Sequence, residues 1–175
     1  MLEMMVVMAI VLTLTAIVIM YIPQFRDRSG LDLVAQEVAI TVRTAQVYAS
    51  GGKIPLNQIE ARPSYGVYFA KDSSDILLYT DEDVDQIFDE GENSDTYELH
   101  GIMVSKICAD DDCGLADITT TYTRPNLTAK ICTEGGDDCS ISQAEIYLKT
   151  VKSEKEKVVR IFKNGQISVS NVETP

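Results

Sequence analysis

From Met4 to Ile22 the chain runs 19 residues without a charged side chain, and that run decides most of what it can fold into. At about 1.5 Å per residue, a helix of that length covers roughly 29 Å, close to the hydrocarbon thickness of a bilayer. The hydroxyls of Thr13 and Thr15 can bond back to the preceding helical turn, so neither interrupts the span. A secretory signal peptide would show a shorter apolar stretch, a basic start and a small-residue cleavage site, and this run has none of them. Pro23 to Arg28 reads as a kinked continuation, with Pro23 and Gly30 as its flexible points.

A second helical pattern follows. Val34, Val38, Val42 and Ala45 recur at helical spacing, with Gln36, Glu37, Arg43 and Gln46 on the other faces, and Ser50-Gly51-Gly52 ends the pattern. Beyond residue 53 the chain breaks into short β-type runs at 65–69, 76–79, 97–107, 118–122, 127–132, 144–149, 157–162 and 166–170. Asn164-Gly165 between the last two is a hairpin turn signal. The fold class is therefore α+β. Residues 1–50 form a long helix, membrane-spanning over about 4–22 and amphipathic after that. Residues 51–175 form an antiparallel, β-rich head.

The net charge of −12 argues against direct nucleic-acid binding, which needs a basic surface. The acidity is local: eleven acids and no Lys or Arg lie between Lys71 and Lys106. Cys108, Cys113, Cys132 and Cys139 form two close pairs. They suit two small-loop disulfides or two bridges joining the loops, with a four-thiolate zinc site as competitor. Intervals of four and six intervening residues, wider than Cys-x2-Cys, favour disulfides. Asp110 to Asp112 and Asp137-Asp138 read as solvated loops beside the cysteines.

Glu3 is the odd residue at the head of the apolar run. A carboxylate there must be paired or lie at the interface, where it complements the helix dipole. Leu2-Glu3-Met4-Met5-Val6-Val7-Met8-Ala9-Ile10-Val11 closely resembles the start of type IV pilins and type II secretion pseudopilins. In that family a prepilin peptidase cuts after a glycine, and a glutamate stands near the new N-terminus before a long apolar helix. The resemblance implies that Glu3 pairs with the N-terminal amine of a neighbouring subunit during assembly. A lone carboxylate in a filament core would be strongly disfavoured. It also implies a basic leader and a cleavage-site glycine where this sequence has Met1, so the chain is expected either to be truncated or to start upstream. Within the family, Tyr122-Thr123-Arg124-Pro125-Asn126 and the closing run from Val159 to Val169 resemble the minor pseudopilin H and FimT-like subgroup. Arg26 and Arg28 alone would retain the head in the cytoplasm. A basic leader would reverse that bias, and paired cysteines favour an oxidising side.

The acidic run contains a candidate calcium loop. Asp81, Asp83 and Asp85 fall at the first, third and fifth places of the EF-hand pattern, Asp89 at the ninth and Glu92 at the twelfth. Ile87 would offer its carbonyl from the seventh. Calcium is a hard cation taking six to eight oxygens, which is why carboxylates must cluster. Gln86 occupies the place where the pattern wants glycine, so strain is expected there. A solvated acidic loop is the plain alternative.

Catalysis finds little support, and although carboxylates are abundant, nothing picks out a catalytic pair. His100 reads as a packed or surface residue in a strand, and there is no phosphate loop, nucleophile elbow or His-rich metal motif. Asn126-Leu127-Thr128 matches a glycosylation sequon. Two functions fit. The first is a pilin-like subunit, held in the bacterial inner membrane and then assembled by dedicated machinery, with copies of itself or other pilins, into an extracytoplasmic filament. The second is a membrane-tethered calcium- or ligand-binding module that never polymerises.

Overall fold

A computed structural model describes residues 2–51, 63–83, 85–89, 91–92, 94–125, 127–133, 139–150 and 155–172, with the backbone alone at 2, 21–28 and 94. Among the described residues, one helix, α1 (Leu2–Gly51), precedes ten strands. These are β1 (Ser64–Ala70), β2 (Asp75–Asp81), β3 (Ser94–Glu98), β4 (Ile102–Ala109), β5 (Asp112–Cys113), β6 (Asp117–Tyr122), β7 (Ala129–Thr133), β8 (Gln143–Thr150), β9 (Glu156–Phe162) and β10 (Ile167–Asn171). They form two antiparallel five-stranded sheets, ordered β3-β2-β1-β6-β7 and β10-β9-β8-β4-β5. The α+β class stands, with the head's strands divided between two sheets.

The two halves of α1 have opposite surroundings. From Leu31 onward, Leu31, Val34, Ala35, Val38, Val42, Ala45 and Ala49 are buried against strands of both sheets. Their three- and four-residue spacing puts one stripe into the core, where each buried Leu or Val side chain contributes about 1.5–3 kcal/mol and each Ala less. Tyr65, Val67 and Phe69 of β1 and Ile146, Leu148, Val159 and Ile161 of the second sheet complete that core. In the first half, the stretch Glu3–Met20 buries nothing; its mean hydropathy of 2.5 makes it long and apolar enough to cross a membrane.

Polar contacts fix the second half to the head. Asp32 pairs with Lys157, and Gln46 Nε2 donates to the Gly165 carbonyl at 2.7 Å. The last turn of α1 has no basic residue of its own. Arg124, between β6 and β7, supplies the missing cation: its Nε donates to the Ala49 carbonyl at 2.7 Å and its Nη2 to that of Ser50. Carbonyls that end a helix without partners are thereby satisfied, and the dipole meets a positive charge.

The structure corrects several expectations. The helix is continuous through Pro23 and Gly30, in keeping with one long helix, and the corrections lie in the head. The run 97–107 is two strands in different sheets, because His100 (φ 48°) and Gly101 (φ 84°) turn the chain and Ile102 N–H closes on the Leu99 carbonyl at 3.1 Å. Two successive positive φ values are the pattern of a type I′ turn, and His100 lies in that turn, not in a strand. Asp110 is not merely solvated: its carboxylate accepts N–H from Ser142 and Gln143 at 3.0–3.2 Å, tying the β4–β5 turn to the start of β8. Asp137, Asp138 and Asn126 lie outside the described residues. Disulfides join Cys108 to Cys113 and Cys132 to Cys139, so the thiols do not make a zinc site.

Candidate metal centre

The candidate loop begins where β2 ends. Asp81 closes that strand, opposite Ser64 of β1, and is fully buried, whereas Asp83 and Asp85 are exposed. Carboxylate oxygens of the three lie within 4.8 Å of one another. Oxygens sharing one calcium ion at about 2.4 Å can be at most about 4.8 Å apart, so the trio fits a single ion's first coordination sphere. All the donors are oxygens, the choice of a hard cation.

The loop backbone folds around these carboxylates. Gln86 has φ 76°, the left-handed conformation that the pattern assigns to glycine. Its N–H donates to Asp81 Oδ2 at 3.1 Å, while Asp85 N–H reaches Asp83 Oδ1 at 3.3 Å and Ile87 N–H reaches Asp85 Oδ1 at 2.8 Å. Glu92 closes the circuit, its Oε1 accepting from Glu82 N–H at 3.0 Å and its Oε2 from Asp89 N–H at 3.2 Å. Burial, with the charges of Asp81 and Asp83 adding to it, pushes the Glu92 carboxyl up to about 7 despite those two hydrogen bonds. Asp89 enters through its backbone and has an exposed side chain outside the carboxylate trio. Val84 and Glu90 lie outside the described residues.

The seat beneath the loop escaped the sequence reading. Phe88 packs on the outer face of the first sheet, its ring centroid 4.9 Å from that of Tyr68 and 5.3 Å from that of Tyr79. Tyr79 lies across Gly66, its neighbour on β1, and its hydroxyl meets that of Thr121 on β6 at 2.7 Å. The Thr121 hydroxyl also donates to the Gln86 carbonyl at 3.0 Å. The residue forced into a left-handed conformation is thus held from below. The only clue in the sequence was an aromatic residue inside an otherwise acidic run.

Of the other predicted residues, Glu3 stands exposed in the first turn of α1. Cys108 and Cys132 are buried, each bonded to its near neighbour in sequence. No family model, curated protein or solved structure matches the chain.

Proposed function

We propose that this chain is a type IV pilin-like structural subunit, anchored in the bacterial inner membrane by about residues 4–22. It then assembles with copies of itself, or with other pilins or pseudopilins, into an extracytoplasmic filament. The observation that carries this reading is the division of α1. One half is the strut of the head's core, and the continuous other half, from Glu3 to Met20, buries nothing against its own chain. A bilayer and then neighbouring helices are the surroundings such a half requires. Leu33, Ile40 and Val47, 61%, 57% and 60% exposed, extend an apolar line up the head-bearing half at seven-residue spacing, the repeat of a helix-to-helix seam. Two disulfides suit an oxidising compartment.

The test is recovery of surface filaments from cells expressing the gene, comparing the parent with Glu3→Ala. Loss of filaments with the protein retained in the membrane is the expected result. Equal amounts of a non-filamentous membrane protein in both strains would refute assembly. They would leave the second reading, a tethered calcium-binding module, which the organisation of the 81–92 loop favours. In either case Asp81, Asp83, Asp85 and Glu92 would hold Ca2+, with Ile87 and Asp89 completing the set, and the ion would stabilise the head. Adding a chelator should then lower the head's melting temperature by several degrees. A melting curve indifferent to added calcium would remove the ion.

A further inference from the structure

We infer that the groove between α1 and β3 is a docking site for an extended, lysine-bearing segment of a partner protein, a role distinct from the assembly and calcium readings above. The groove measures about 560 Å³ and runs along the β3 side of the first sheet. β3 pairs with β2 on one side only, and among the described residues no strand covers its other edge. Its floor is apolar, made by Val38, Ile76 and Leu99, while Glu37 stands on the α1 wall and Glu98 on the β3 wall. Both carboxylates are exposed, and the Tyr97 ring beside them is 40% exposed.

Each feature selects the same occupant. An open strand edge offers main-chain hydrogen bonds to an extended segment. The Glu37 carboxylate and the Tyr97 ring over an apolar floor, with Glu98 at the open edge of β3, suit an alkylammonium head on a methylene stem. The acids at this edge repel a second β3 and any anionic strand, which prevents indiscriminate edge pairing. Charge complementarity therefore fixes the partner's sign, as the surrounding stretch from Lys71 to Lys106 has eleven acids and no Lys or Arg inside it.

The test uses the full chain in zwitterionic detergent micelles, with fluorescein-labelled acetyl-Val-Lys-Val-Lys-Val-amide as probe and its glutamate counterpart as control. Anisotropy should report binding of the lysine probe alone, weakening as salt rises. Tyr97→Leu, and Glu37→Gln combined with Glu98→Gln, should each weaken it about fivefold. Asp111→Asn combined with Asp112→Asn, at the β4–β5 turn of the other sheet and outside the acidic stretch, should leave it unchanged. All these side chains are exposed, and melting temperatures matching the parent verify the fold of each variant. Failure of the lysine probe to bind would overturn the inference. So would equal binding by the groove variants, loss only in the turn variant, or self-association of the chain that closes the groove.

Discussion

Adding one methyl group at Gly66 tests whether the acidic loop rests on the seat described above. A Cβ there would lie 2.5 Å from Cζ of Tyr79 and 2.6 Å from its Cε1 and hydroxyl oxygen, closer than real contacts allow. Tyr79 is fully buried, so its ring has no open side to swing into. Were the space free, Gly→Ala inside a strand would stabilise the head by about 0.5–1 kcal/mol, because glycine loses more chain entropy on folding. The clash reverses that sign. Overpacking costs about 1–3 kcal/mol. Displacing the ring also loses the Tyr79–Thr121 hydrogen bond, about 1 kcal/mol more, and unseats Phe88. A net loss of about 2–3 kcal/mol should lower the melting temperature by roughly 5–12 °C for a head of this size. The assay is a circular-dichroism melt of parent and Gly66→Ala in detergent micelles, repeated with saturating calcium. Because Tyr79 and Phe88 form the seat, calcium should raise the variant's melting temperature less than the parent's. An unchanged or raised melting temperature would refute the reasoning, since only a ring able to yield freely permits it.

Three further outcomes follow from local chemistry. The Glu92 carboxyl titrates at about 7 in the folded head against an ordinary 4.5, so the calcium-free head binds the extra proton between those values. Its contribution to stability is complete below pH 4.5 and lost as pH rises through 7; chelator-treated parent should lose stability over that window, and Glu92→Gln should lose less. Arg124→Met removes the donors to the Ala49 and Ser50 carbonyls and should cost about 1–2 kcal/mol, read as a lower melting temperature and faster amide exchange in the last turn of α1. Gly30 is helical, with nothing within 4 Å of a Cβ built on it, so Gly30→Ala should stabilise by up to about 1 kcal/mol, measured by denaturant titration.

The parts legible in the sequence were those set by hydropathy with a fixed period. Val34, Val38, Val42 and Ala45 announce a buried helical stripe because their spacing repeats every turn, and all four are buried. Gln36, Glu37 and Arg43, expected on the other faces, are exposed. The division of the strands between two sheets was not legible. Leu99 and Ile102 flank the break and are both buried, so the apolar pattern never falters where the chain changes sheets. The signal lies in backbone conformation at His100 and Gly101, and histidine, although enriched at positive φ, adopts negative φ far more often, so its identity alone does not mark the turn.

The acidic loop shows the same boundary within a few residues. Its carboxylates could be placed from spacing, because ligand positions in a short loop are fixed by sequence number. The expected strain at Gln86 could be named as well, and the backbone adopts the left-handed conformation there. What holds Gln86 in place comes from distant sequence: Thr121 reaches its carbonyl, and Tyr79 reaches Thr121 only because Gly66 leaves room for the ring. No residue in that chain is unusual alone, since tyrosine, threonine and glycine all occur in ordinary strands. Their role arises from register, which pairs Gly66 with Tyr79 on one side and Thr121 on the other. A one-residue slip in either pairing would turn Tyr79 or Thr121 toward the core and remove the seat. The loop's shape is therefore a property of the folded sheet, and changes on β1 or β6 should reach the candidate metal centre without touching an acidic residue.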